Sequence, residues 1–459
     1  MAGTTPDTDD KTPLIAQWLS PFRTFARIEA SGGLVLVGAA VVALIWANSG
    51  WSQSYFDLWR TRVGFTFGGF SLYKSLEHWI NDGLMAVFFF TVGLEIKREI
   101  LAGELDSLRK AVGPVGAALG GMAVPAAIYL AVNAGSASAR GWAVPMATDI
   151  AFALGVLSLL GKRVPLTLKV FLTAVAIVDD LGAVVVIAVF YTNQISAPHL
   201  LAGAAILALL LGMNAAGVRR ASPYALLAFL LWIALLKSGL HATIAGVLAA
   251  WTIPARTRYT APRFGHTARK LADAFEHCPA PARKGFISKN QIHALEGLEQ
   301  AAARAGVPLQ RLEHALHPWT AFAIMPIFAL ANAGVALNAS PAQLIASPAS
   351  LGVLLGLVIG KQLGVFAGAW LAIRSGLGHT PAGLNFRHLH GAAALSGIGF
   401  TMSIFIANLA FPGNQALADA VKLAVLAASV LSGIWGYLLL RARPLDRTQG
   451  VGKPQVSDG

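Results

Sequence analysis

The chain has 459 residues, 56% of them hydrophobic and only 12% charged, roughly half the charged fraction of an ordinary soluble domain. A mean hydropathy of +0.62 with 47 glycines excludes a disordered or collagen-like chain and points to packed membrane helices. The formal charge of +13 would suit a nucleic-acid binder, but the 35 lysines and arginines fall between apolar runs, so no nucleic-acid partner is expected.

A bilayer-spanning helix needs about 20 mostly apolar residues, and open sheets are excluded because their edges stay unsatisfied in lipid. The expected fold class is therefore an all-α polytopic membrane protein. Residues 1–25 are polar, with Asp7, Asp9 and Asp10 and no apolar stretch leading to a cleavage site, so they are expected to form a cytoplasmic tail and not a signal peptide. Eight spans are expected within 26–255, near 30–48, 76–101, 110–133, 138–160, 166–191, 199–217, 222–236 and 239–253. The last two, on either side of Lys237, are short. Between the first two spans, strand-forming residues at 64–67 and 69–73 predict a small outer hairpin near 58–73, with an edge that could pair two protomers as a homodimer. An extended cytoplasmic loop follows at 256–311, rich in Arg, Lys and Pro, with a helix predicted over 289–304; its lone cysteine, Cys278, excludes an intramolecular disulfide and a Cys-rich zinc site. Four more spans are expected within 312–443, near 317–337, 351–372, 388–410 and 418–440, before a second cytoplasmic tail at 444–459. Turn signals at 194–198, 338–341 and 347–348 divide runs too long for one crossing.

Basic residues set the orientation. Arg23 and Arg27, Lys97 and Arg98, Arg109 and Lys110, Lys162 and Arg163, Arg219 and Arg220, Arg374 and Arg387, and Arg441 and Arg443 fall at alternate ends of the spans. By the positive-inside rule those ends, and both termini, are cytoplasmic. The pI near 10.1 is thus topology information.

Between Asp106 and Asp273 the only acidic residues are Asp149, Asp179 and Asp180, and all three fall in mid-span. On the insertion scale a central Asp costs about 2.5 to 3.5 kcal/mol, a depth at which a purely structural polar contact would use a hydroxyl or amide. Successive helical residues point about 100° apart, so Asp179 and Asp180 can share a cavity wall while facing different ways. In a poorly solvated cavity two neighbouring carboxylates cannot both stay charged cheaply, which favours reversible protonation. The same oxygens, once charged, suit a hard cation such as Na+ or Li+. Competition between cation and proton for one site yields exchange. Lys361 is the reverse case, the single charge between 318 and 373, and should pair with an Asp or neutralise a helix end.

Two spans look interrupted. Pro145 precedes Thr148 and Asp149, and Gly397 and Gly399 flank one residue and permit extended backbone. With the first span running inward and the second outward, they form an inverted pair crossing at mid-membrane, where Asp149 matches the positive half-helix ends and Lys361 the negative ones. Nearer the surface, Glu95, Arg98 and Glu99 share a helix face as a structural or functional ion-pair cluster. Glu313, His314 and His317 precede Pro318, and histidines titrating near about 6.5 could sense internal pH or lie idle on the surface. Asp82, at the outer end of the second span, reads as an interfacial charge or part of an outer funnel. His241, in a short span, is ambiguous.

The residues as a set resemble a known family. ATDIAFALG (147–155), AIVDDLGAV (176–184), NDGLMAVFFF and VGLEIKRE (81–90 and 92–99), KSGLHATIAG (237–246), LEHALHPW (312–319), FALANAGV (328–335) and GIGFTMSIF (397–405) are similar to the NhaA family of bacterial Na+/H+ antiporters, in order over about 25–445. The resemblance implies an electrogenic, pH-regulated exchanger of the inner membrane that exports Na+ or Li+ against protons for sodium and pH homeostasis, with no cofactor and no enzymatic step. It implies Asp179 and Asp180 as the cation and proton site, and Thr148, Asp149 and Lys361 at the crossing, with Lys361 a proton carrier or the partner of Asp179. It ties Glu95, Arg98, His241, Glu313 and His317 to the pH response. The 256–311 loop is longer than the family pattern, and Gln362 stands where a proline is expected. Two competing classes are a solute symporter, which would need a second polar pocket, and a non-transporting scaffold or sensor, in which the central charges would be dispensable.

Overall fold

A computed structural model describes residues 31–67, 70–192, 195–278, 286–336, 347–376 and 385–442. Both expected tails, the basic residues Arg27 and Arg443 next to them, and the turn signal at 338–341 lie outside the described residues, as does Gln194. The described residues open with α1 (Ser31–Ala47), and α2 (Ser52–Arg60) turns 113° away from it, too sharply for one span. Strands β1 (Arg62–Phe67) and β2 (Phe70–Ser75) then pair antiparallel, Arg62 opposite Ser75 and Gly64 opposite Tyr73, so the expected hairpin forms and its second strand runs two residues further than predicted.

A π-helical turn (Trp79–Leu84) leads into α3 (Met85–Ala102), followed by α4 (Leu108–Val132). The next span is broken into a 3-10 helix (Ala137–Met146) and α5 (Ile150–Leu159), bent by 43°. Unbroken α6 (Leu166–Phe190), α7 (Ala197–Ala215) and α8 (Ala221–Ser238) come next, then the short α9 (Ile244–Thr252). Among the described residues, seven helices are long and apolar enough to cross a membrane, and up to ten spans result if each bent pair counts as one.

The described part of the 256–311 loop contains more helix than the sequence suggests. It holds α10 (Ala261–Glu276) as well as the expected α11 (Lys289–Ala305), which starts with a Ser288–Gln291 capping box. Phe264, Leu271 and Phe275 give α10 one apolar face at helical spacing, and Leu271 packs over Gly297 of α11. The following α12 (Pro308–Trp319) begins nine residues before the span expected at 317, because Pro318 is accommodated next to a π turn (Thr320–Ile324) that leads on into α13 (Met325–Asn332).

The remaining helices are α14 (Pro348–Leu355), a π turn (Gly356–Gly360), α15 (Lys361–Arg374), α16 (Phe386–Ser396), α17 (Phe400–Ala410) and α18 (Gln415–Arg441). α16 and α17 form the second broken span, bent by 44°. Lipid supplies no hydrophobic force between helices, so contact depends on small residues that let backbones meet. Gly356, Gly360, Gly364 and Gly368 recur every four residues and lay α14 and α15 along α4, where a Cβ at Gly364 would overlap the Gly120 carbonyl and one at Gly368 the Gly116 carbonyl. This approach brings the Lys361 stem within 3.7 Å of where a Gly121 Cβ would stand. Gly364→Leu is therefore expected to lower stability by at least about 1–3 kcal/mol through overpacking. An unchanged melting temperature of the purified variant would contradict the packing described.

Polar side chains inside the bundle are mostly paired. Asn408 donates to Asn332 (2.7 Å) and Asn332 to Asn81 (2.8 Å), an amide ladder that ties α17, α13 and the first π turn together.

Candidate functional site

The breaks in the two interrupted spans meet. Ala147 and Asp149 are extended (φ −89°, ψ 145° and φ −87°, ψ 100°), which ends the 3-10 half at Met146 and restarts the helix at Ile150. The Asp149 backbone N–H donates to the Ile398 carbonyl (2.7 Å) and the Thr148 hydroxyl to the Ser396 carbonyl (2.9 Å), so each break satisfies backbone groups of the other. The glycines of the second break are used differently from expectation. Gly397 (φ −70°, ψ −4°) and Gly399 (φ −90°, ψ −28°) are not extended. They provide space, since a Cβ at Gly397 would stand 2.6 Å from the Leu357 carbonyl and one at Gly399 3.0 Å from Leu357 Cδ2.

Four half-helix ends converge here, and each has a partner. Asp149 accepts from the Phe152 N–H (2.9 Å) at the start of α5, and from the Thr401 N–H (3.1 Å) and hydroxyl at the start of α17. One carboxylate thus serves both positive ends, as its position after the proline predicts. The Lys361 ammonium donates to the Met146 carbonyl, at the negative end of the 3-10 half, and to both Asp179 oxygens (2.9 and 2.8 Å). It therefore does both things the sequence left as alternatives. The negative end of α16 is served by Thr148 instead of Lys361, and Ser403, missed by the sequence reading, donates to the Val144 carbonyl (2.8 Å). Its signal was a hydroxyl one turn beyond the glycines.

Asp179 and Asp180 sit mid-way along α6, both buried, and their environments differ. Asp179 is held by Lys361, with Thr148 beside it. Both Asp180 oxygens are buried with no hydrogen-bond partner among the described residues, and the charges nearest in influence are Asp179, Asp149 and Glu95. A buried carboxylate cannot persist alone and charged; it must hold a proton or a cation. With Asp179 and the Thr148 hydroxyl close by, the oxygen donors suit a hard monovalent cation carried as substrate.

The surface residues also assemble. Arg98 bridges Glu99 (2.7 Å) on its own helix and Glu313 (2.7 Å) on α12, while His317 lies 3.8 Å from Glu95. Five residues from two distant stretches thus form one cluster on α3 and α12. His314 is exposed. On the other side, His241 Nε2 lies 2.9 Å from the Tyr191 carbonyl, and Asp82 is close enough to act on it electrostatically, a pairing not visible in the sequence. A cavity of about 770 Å³ lined by Arg219, Arg220, Arg258, Arg304 and Arg311, where α11 meets the spans, includes none of these residues.

Known proteins are similar to this sequence. The family described as Na+/H+ antiporter 1 matches residues 23–440. The chain is 54% identical to the Na(+)/H(+) antiporter NhaA of Oleidesulfovibrio alaskensis over 427 residues, 93% of this chain and 95% of the relative. It is 48% identical to the NhaA of Wolinella succinogenes (91% and 92% covered) and 47% identical to that of Koribacter versatilis (96% and 94%).

Proposed function

The chain belongs to the Na+/H+ antiporter 1 family, and on that premise we propose an electrogenic antiporter that exports Na+ or Li+ against protons, regulated by pH. It is a transporter and not an enzyme, a membrane protein whose transported ions are Na+ and H+. The observation that carries the site assignment is the buried, unpartnered Asp180 carboxylate next to the Lys361–Asp179 pair.

In this reading Asp180 and Asp179 receive a cation from the cytoplasm, and the Lys361 ammonium competes with that cation for the Asp179 oxygens. The loaded site turns outward, and protons arriving from outside displace the cation. More protons enter than cations leave, so each net charge moving inward draws about 2.3 kcal/mol per 100 mV from the membrane potential. The residues of the Glu95–Arg98–Glu313–His317 cluster, with His241 at the other side, set the pH response, and Asp82 lines an outer funnel. Twelve crossings, counting α1, α3 and the short α9 as spans, with both termini on the cytoplasmic side of the bacterial inner membrane, follow from the positive-inside pattern, and the two breaks form the inverted pair. The hairpin pairs two protomers, with Val63 and Tyr73 at 48% and 54% exposure on it; cysteines at these positions in a Cys278→Ser background should cross-link, and monomers only would count against that interface.

The test uses purified protein in proteoliposomes with an imposed pH gradient. Addition of Na+ or Li+ should collapse the gradient, faster when a potassium–valinomycin potential favours inward positive charge. No cation-dependent proton movement between about pH 6.5 and 9, a range that begins at the ordinary histidine pKa, would end the antiport reading.

A further inference from the structure

α18 (Gln415–Arg441) gives the crossing no charge, yet it packs directly on the second break. Two serines on one face, three residues apart, meet that break. Ser429 Oγ accepts the Phe400 N–H (3.0 Å), the first free donor of α17, and donates to the Val425 carbonyl (2.7 Å). Asp149 serves the next N–H, that of Thr401, so the start of α17 is held from both sides.

Ser432 is the contrasting member. A helical serine ordinarily satisfies itself on the carbonyl four residues back. Ser432 is fully buried and its hydroxyl has no partner among the described residues. It lies against the break, only 2.5 Å from where a Cβ at Gly397 would stand, with the Leu357 carbonyl 2.6 Å from the same point. An unpaired buried hydroxyl is unfavourable, and alanine would pack there without that cost. Backbone groups freed when half-helices shift have neither water nor lipid to pair with, so a poised hydroxyl next to them has a use that the present conformation does not show.

We propose that Ser429 and Ser432 are positioning residues for exchange: Ser429 fixes the start of α17 in the conformation seen here, and Ser432 takes a backbone group of residues 397–399 when the crossing rearranges to face the other side. This rests on the antiport reading above, because only a transporter that alternates between two arrangements of the crossing needs the second hydroxyl.

Exchange is measured in proteoliposomes and melting on the purified protein, for the unmodified chain and for Ser432→Ala, Ser429→Ala and Ser429→Thr. Ser432→Ala should melt at or above the unmodified temperature, having lost an unpaired hydroxyl, yet exchange at least about fivefold more slowly at saturating cation, since the interaction removed belongs to another state. A residue needed only for packing could not raise stability and slow turnover together. Ser429→Ala should lose both stability and rate, and Ser429→Thr, which keeps the hydroxyl, should restore both. Ser432→Ala exchanging at the unmodified rate, or Ser429→Ala behaving like Ser429→Thr, overturns the proposal. The Ser432 comparison decides even if Ser429→Ala does not survive purification. An inactive unmodified chain would instead overturn the antiport reading.

Discussion

Asp180→Asn is expected to abolish cation-driven proton movement in a protein that remains folded. The two carboxylate oxygens have no hydrogen-bond partner among the described residues, so the substitution removes a charge and keeps the shape, without breaking a contact. A unit charge about 4 Å from a monovalent cation at an effective dielectric near 20 contributes about 4 kcal/mol, roughly a thousandfold in affinity. Sodium titration by calorimetry should then show no saturable binding at concentrations that saturate the unmodified protein, and the proteoliposome signal should vanish. The melting temperature should not fall, since one of several crowded acids has been neutralised. A variant with full exchange would remove Asp180 from the site, although the family membership would stand.

Lys361→Met is expected to be the most destabilising single change at the crossing. The ammonium is buried and holds both Asp179 oxygens and the Met146 carbonyl, so its loss strands a carboxylate and a half-helix end together. Breaking a buried pair from one side costs about 3–5 kcal/mol, whereas removing both partners is often nearly neutral. Asp179→Asn in the Lys361→Met background should therefore recover much of the lost melting temperature, a coupling that a double-mutant cycle measures directly. Additive losses would mean that the two side chains do not act as a pair. The prediction also separates the two parts of the aspartate site: Asp179 bonds the lysine directly, and Asp180 makes no hydrogen bond to it.

Much of this was legible without coordinates. The spans could be located because lipid imposes a strict rule on length and apolarity, and the acids could be singled out because each stands at a depth where a charge is costly. Asp149, Asp179, Asp180 and Lys361 were thus found one at a time. The helix over 289–304 and the hairpin near 58–73 were also readable, the hairpin from its strand-forming residues. α10 was missed, although Phe264, Leu271 and Phe275 mark its face, because a loop rich in Arg and Pro was read by composition and not by period.

Pairwise assignments were harder. Lys361 was expected to match the negative half-helix ends, and it takes one of them together with Asp179, while Thr148 takes the other. The glycines of the second break were expected to allow extended backbone, and they instead allow a neighbouring helix to approach. Ser403, Ser429 and Ser432 carry no charge, so nothing in their composition distinguishes them from serines that satisfy themselves along a helix.

What the sequence determined by itself was membrane character, the orientation expected from its basic residues, and the few charges inside the bilayer, since each follows from the cost of placing one residue in hydrocarbon. What only the tertiary structure decided was who meets whom: Lys361 with Asp179 across 182 positions, Arg98 with Glu313, and Ser429 and Ser432 with the break at 397–400. Such pairings depend on how closely helices approach, and that is set by the glycine contacts between α4 and α15 and between the break and α18, which no single residue's transfer energy contains.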